Sequence, residues 1–141
     1  MDTSLARLSH AAPAWHESFS NSLIAGLAKT PKEIACKYFY DEAGSHLFER
    51  ICQLPEYYQT RTEVALLYRH ADEIARLIGD DVEIVEFGAG SLRKVRILLD
   101  AVANIRAYTP LDISGDYLTN VVQILAANYP ALLLRPLIAD F

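Results

Sequence analysis

Two glycines flank one alanine at Gly88-Ala89-Gly90, directly after the β-branched run VEIVEF (82–87) and before an amphipathic stretch. Glycine at a strand's end lets the backbone turn sharply and pass close to a ligand, and the helix that follows offers unpaired N–H groups. A dinucleotide fingerprint needs a third glycine three residues after the second. Arg93 stands there, which disfavours a pyrophosphate cofactor. Two carboxylates extend the set. Asp112 closes a second predicted strand, where it can accept from ribose hydroxyls. Asp140 closes a third, where it can face an adenine amino group with Phe141 packed on the ring. A carboxylate after the second strand and another after the third suit S-adenosylmethionine better than a nicotinamide dinucleotide. Asp112 also fits as the neighbour of a helix cap at Ser114, and Lys94 as a solvated helix residue.

The elements that must carry these residues follow from periodicity. Residues 82–87 read as a strand, 106–111 as a second despite Pro110, and 131–138 as a third despite Pro136. Between them lie two helices. Ser91 is expected to cap the first, with Val95, Leu98, Leu99 and Val102 on one face. Ser114 is expected to open the second, which buries Leu118, Val121, Val122 and Leu125. Strand, helix, strand, helix, strand is a βαβαβ unit, and its crossovers impose a parallel sheet. The first strand then stands at an open edge, which invites pairing with another chain.

Upstream, residues 23–79 read as helical and rich in aromatics. Leu23 and Leu27 suggest a short helix before Thr30-Pro31. Asp41-Glu42-Ala43-Gly44 reads as a turn, with Ser45 capping a helix of Leu47, Phe48 and Ile51 that ends at Leu54-Pro55. Thr60 and Glu63 fit a capping box for a long helix through Ile78, stopped by Gly79. Residues 1–22 read as a loosely held arm or a short helix. The domain organisation is thus an arm (1–22), a helical region on the substrate side (23–79), and the first half of a cofactor-binding domain (80–141).

Composition narrows the class. The 141 residues are about one domain's worth of chain. With 52% hydrophobic and 22% charged residues, the chain is globular. A net charge of -5 argues against nucleic acid or an anionic membrane as the main partner. No apolar run approaches the roughly 20 residues of a membrane span, and no secretory signal is evident. Cys36 and Cys52 lack metal-site spacing, so no metal is expected and both thiols read as buried in a cytoplasmic protein.

Five motifs carry a resemblance to a known family. KYFYDEAGSHLF (37–48) and LPEYYQTRTE (54–63) are the specific ones; EFGAGSLRKVRILLD (86–100), TPLDIS (109–114) and ADF (139–141) continue it. Together they resemble the histidine-specific methyltransferases, which use S-adenosylmethionine to trimethylate the α-amine of L-histidine to hercynine on the ergothioneine pathway. The resemblance implies a Rossmann-like class I methyltransferase fold of which this chain holds the first βαβαβ half after a helical N-terminal region. It implies that Gly88, Gly90 and Lys94 contact S-adenosylmethionine, Asp112 its ribose, and Asp140 and Phe141 its adenine end. It further implies that Tyr57 binds the amino-acid substrate and that Tyr40 lies at the methyl-transfer site. A tyrosine beside a sulfonium and an amine can orient the nucleophile and stabilise positive charge through its ring. On residue type alone, each tyrosine also fits a core aromatic with a satisfied hydroxyl. The chain departs from the family at Ser91-Leu92-Arg93, where the family carries a small hydroxyl residue and an acid ahead of the lysine.

The expectation is therefore an enzyme, an S-adenosylmethionine-dependent N-methyltransferase of the cytoplasm with L-histidine as acceptor. The chain is expected to be a truncated, poorly active part of it. The alternative is a non-catalytic binding module that self-associates through the open sheet edge.

Overall fold

A computed structural model describes residues 9–10 and 19–140, so the expected arm falls largely outside the described residues, as does Phe141. The helical region holds α1 (Phe19–Leu27), a 3₁₀ turn (Cys36–Phe39), α2 (Glu42–Ile51) and α3 (Gln59–Ile78). The α/β region alternates β2 (Val82–Phe87), α4 (Arg93–Ala101), β3 (Ile105–Asp112), α5 (Gly115–Asn128), β4 (Leu133–Leu134) and β5 (Leu137–Ile138). A short β1 (Ser9–His10), which periodicity gives no hint of, pairs with β5.

The sheet runs β1-β5-β3-β2 with β4 also on β3, and every pairing is parallel. This is the expected βαβαβ arrangement of a Rossmann-like fold, with β3 in the middle. The expected third strand is two short ones. Leu134 and Leu137 both belong to ladders with β3, and Pro136 between them has no N–H to donate, so the ladder breaks there. Among the described residues β2 lies at the sheet's edge.

The core sits between the sheet and one helical layer. Ala89, Leu92, Val95 and Leu99 pack with Tyr108, Leu134, and Leu118, Val122 and Leu125 of α5. Strand alternation divides β2 between two faces. Ile84 packs on this core, while Val85 and Phe87 point to the opposite side and are 50% and 63% exposed.

The helical region follows the expected elements but not their expected caps. Asp41, rather than Ser45, caps α2, because its carboxylate reaches Gly44 N at 2.7 Å. That helix stops at Ile51, ahead of Leu54-Pro55. The capping box at Thr60 does not form. α3 starts two residues earlier, at Gln59 with Tyr58 at the cap position, Thr60 Oγ1 turns to Cys52 Sγ at 3.4 Å, and Glu63 reaches across to Lys94. Ser91 is likewise exposed and Leu92 occupies the cap position of α4, with no side-chain bond. On α4, Ile97 is buried where Leu98 was expected; Leu98 is half-buried. Neither thiol is buried, since both stand outside the core: Cys36 is exposed at the head of the 3₁₀ turn and Cys52 is half-buried. Among the described residues no helix is long and apolar enough to cross a membrane.

Candidate functional site

Parallel strands all point their C-terminal ends to the same rim, and side chains and loops that leave that rim are free to meet a ligand. Here the loop after β2 is tied to the end of β3. The N–H groups of Gly88 and Ala89 both donate to the carbonyl of Leu111, at 2.8 and 3.0 Å. Two hydrogen bonds to one oxygen require a sharp reversal, and Gly88 supplies it with φ of 70°, a conformation that favours glycine.

Asp112 stands at the centre of the rim. Its Oδ2 accepts from Gly90 N at 3.1 Å and its Oδ1 from Ser114 N at 2.9 Å. Its backbone carbonyl accepts from Ala139 N at 3.0 Å. One residue thus joins the ends of β2, β3 and β5. The carboxylate is half-buried, and each of its oxygens has one further lone pair to give. A Cβ placed on Gly90 would meet nothing nearer than the Gly88 carbonyl oxygen, at 3.8 Å, so the space over the loop is open. A carboxylate with spare acceptor capacity beside an open glycine loop fits the vicinal hydroxyls of a nucleoside.

Glu86, the last acid before the glycines, accepts from Tyr108 Oη at 2.5 Å. Burial pushes its carboxyl above the ordinary carboxylate range, and Glu63 and Asp112 add to that rise, against the Tyr108 hydrogen bond and the charge of Lys94. Tyr108 is itself fully buried, and burial together with Glu86 raises its hydroxyl far above the usual phenol range. This pair braces the strands beneath the loop.

The other expected cofactor residues lie around the same rim, already engaged with the helical region. Lys94 Nζ donates to both oxygens of Glu63, at 3.2 and 3.3 Å, which joins α4 to α3. Asp140 Oδ2 accepts from Lys37 Nζ at 2.8 Å. A third polar link runs from Tyr117 Oη at the start of α5 to Glu49 of α2, with the His46 ring edge-on to Tyr117. Burial and Glu49 raise the Tyr117 hydroxyl above its usual range.

The two expected substrate tyrosines sit in the helical region. Tyr40 caps the 3₁₀ turn, 46% exposed, with its N–H on the Lys37 carbonyl. Tyr57 is half-buried and meets Phe48 edge-on at 5.9 Å. Among the described residues neither tyrosine hydrogen-bonds to the glycine loop or to Asp112. A groove of about 400 Å³ lies along α4 and α5, lined by Arg93, Arg96, Tyr117 and Ile124 among others. None of the expected site residues lines it, and the chemistry-bearing groups gather at the sheet rim.

Residue types and spacing missed Lys37, Glu63, Glu86 and Glu49. Glu86 had a legible signal, an acid at the end of an apolar strand and next to glycine. Lys37 had a weaker one, a lone cation opening an aromatic run.

A family model described as histidine-specific methyltransferase, SAM-dependent, matches residues 19–141. The chain is 37% identical over 134 residues to the histidine N-alpha-methyltransferase of Mycolicibacterium smegmatis, covering 93% of this chain and 41% of that protein. It is 35% identical over 131 residues to the protein of the same name from Mycobacterium tuberculosis, covering 91% and 40%. It is also 42% identical over 91 residues to ergothioneine biosynthesis protein 1 of Neurospora crassa, covering 62% of this chain and 10% of that protein. The chain therefore spans about two-fifths of the length of the two bacterial relatives.

Proposed function

The chain belongs to the histidine-specific, S-adenosylmethionine-dependent methyltransferases, and from that premise we propose that it forms the cofactor-binding part of an enzyme that methylates the α-amine of L-histidine. The observation that carries this reading is Asp112, whose carboxylate anchors Gly90 and Ser114 and keeps acceptor capacity at the open rim.

When bound, S-adenosylmethionine supplies an electrophilic methyl group on a sulfonium. The chain's task is then alignment, because displacement needs the amine nitrogen in line at near-attack distance. Asp112 accepts from the ribose hydroxyls. The glycine loop, with open space over Gly90, would let the nucleoside approach its backbone closely. Lys94, bonded to Glu63 in the structure, would contact the cofactor, and Asp140 with Phe141 would take its adenine end. Tyr57 holds the amino-acid substrate. Tyr40 orients its amine and faces the positive charge with its ring. The names of the family and its relatives support L-histidine as the acceptor.

Calorimetric titration of S-adenosylhomocysteine tests the cofactor site, with Asp112→Ala as its control. Loss of charged hydrogen bonds worth about 1.5–3 kcal/mol corresponds to roughly 10- to 150-fold weaker binding. Equal affinity in the variant would remove Asp112 from the site. Mass spectrometry of L-histidine turned over by the full-length protein, with hercynine as expected product, tests the acceptor.

A second reading has its own support. Val85 and Phe87 are exposed on a strand at the sheet's edge, which favours association through β2. Sedimentation that finds only monomers across concentrations would dismiss it.

A further inference from the structure

Lys37 does two things at once. Its ammonium bonds Asp140 at 2.8 Å, with the two side chains 31% and 21% exposed. Among the described residues this is the only ion pair with both partners below one-third exposure. Its backbone carbonyl, at 3.3 Å, accepts the N–H of Tyr40. A single residue therefore connects the carboxylate at the end of β5 to the tyrosine of the 3₁₀ turn.

The turn is itself fixed to α2. A Cβ on Gly44 would overlap the carbonyl oxygen of Phe39, so the helix and the turn meet backbone to backbone. Asp41, next after Tyr40, caps that same helix through Gly44 N. Lys37 is thus bonded through its side chain to Asp140 and through its backbone carbonyl to Tyr40, next to the cap of α2. A half-buried pair of this kind resists separation, because removal of one partner leaves the other charge shielded from water and uncompensated.

We propose that Lys37 is a positioning residue that couples the two ligands: its side chain sets Asp140 for the adenine end while its backbone sets Tyr40 for the acceptor amine. The proposal rests on the cofactor and substrate assignments of the preceding section and adds a thermodynamic link between them. Such a link is reciprocal, so each ligand must raise the other's affinity by the same factor.

The test uses the full-length protein that carries this sequence. Dissociation constants of S-adenosylhomocysteine and of L-histidine are measured calorimetrically, each alone and with the other saturating. The wild type is expected to show a coupling factor of at least about 5. Lys37→Met is expected to bring that factor to about 1 and to weaken S-adenosylhomocysteine roughly 10-fold, with Lys37→Arg retaining part of the coupling. A residue with a merely structural role would weaken both ligands alike and leave the factor unchanged. Asp140→Asn, which removes the ion pair but keeps an amide oxygen to accept from Lys37, is expected to lose the coupling as well, and it stands in if Lys37→Met fails to fold. A factor unchanged in either variant overturns the coupling. So does a wild type that binds both ligands independently, and in both cases the cofactor assignment survives. A wild type that binds no S-adenosylhomocysteine overturns both.

Discussion

Among the described residues, those from Ala89 onward supply nearly the whole buried apolar core, whereas the helical region before β2 contributes Val64 alone. In that helical region Phe39, Leu47, Leu54 and Tyr58 are 60%, 55%, 49% and 61% exposed. What joins the two regions is polar as well as apolar: Lys37 with Asp140, Glu63 with Lys94, Glu49 with Tyr117. Apolar burial is strong but non-directional, while charged hydrogen bonds are specific in distance and angle. The contrast separates two tasks. The α/β region is stable by packing and offers a rigid rim. Among the described residues, the helical region also makes directional polar contacts with the α/β region at Asp140, Lys94 and Tyr117.

The comparison breaks most directly on stability. Leu118 is fully buried between helix and sheet, and Leu118→Ala is expected to cost about 3 kcal/mol in urea unfolding. Phe48, 41% exposed, is expected to cost less than about 1 kcal/mol as Phe48→Ala. Equal losses at the two positions would mean that the helical region is as tightly packed as the sheet.

A second measurement sharpens the account of the rim. The folded Glu86 carboxyl is held above its ordinary value of 4.5, first by burial. The native state therefore binds more protons than the unfolded one between the two values. The stability linked to this group is complete below 4.5 and falls as pH rises through the folded value. Glu86→Gln keeps an acceptor for Tyr108 and has no such proton to lose. The difference in unfolding free energy between variant and wild type should turn in the variant's favour as pH rises above 4.5. A difference flat across that window would show that Glu86 is not desolvated.

The smallest expected effect lies in the helical region. Tyr38 meets Phe19 edge-on at 4.8 Å, and its buried hydroxyl has no hydrogen-bond partner among the described residues. Tyr38→Phe should raise stability by up to about 1 kcal/mol, since an unmade buried hydrogen bond is removed. A loss instead would reveal a partner for that oxygen.

The α/β region was legible in the sequence because its signals are short in range. VEIVEF ends at glycine, and the spacing of Leu118, Val122 and Leu125 is helical; both survive in the fold. Asp112 was placed at a strand's end by the same reasoning, and its position there brings it to the glycine loop. The helical region was less legible. Thr60 and Ser91 have the chemistry of caps, but α3 begins before Thr60, and Glu63 has a more distant cation to satisfy in Lys94. Lys37 and Asp140 lie 103 residues apart, and no periodicity links them. Resemblance to a family supplied the tyrosines that local pattern left undecided between core and site.

The parallel pairing of β1 with β5 sets Ser9 opposite Leu137 and His10 opposite Ile138. Residues 10–136 lie between Ser9 and Leu137, so this pairing cannot form until all of them have left the ribosome. Contacts so far apart in sequence close slowly, because the loop entropy is lost before the bonds return anything. During synthesis the helices of the α/β region can form and meet while β1 still waits. Among the described strands, the first to be made is the last that can be placed.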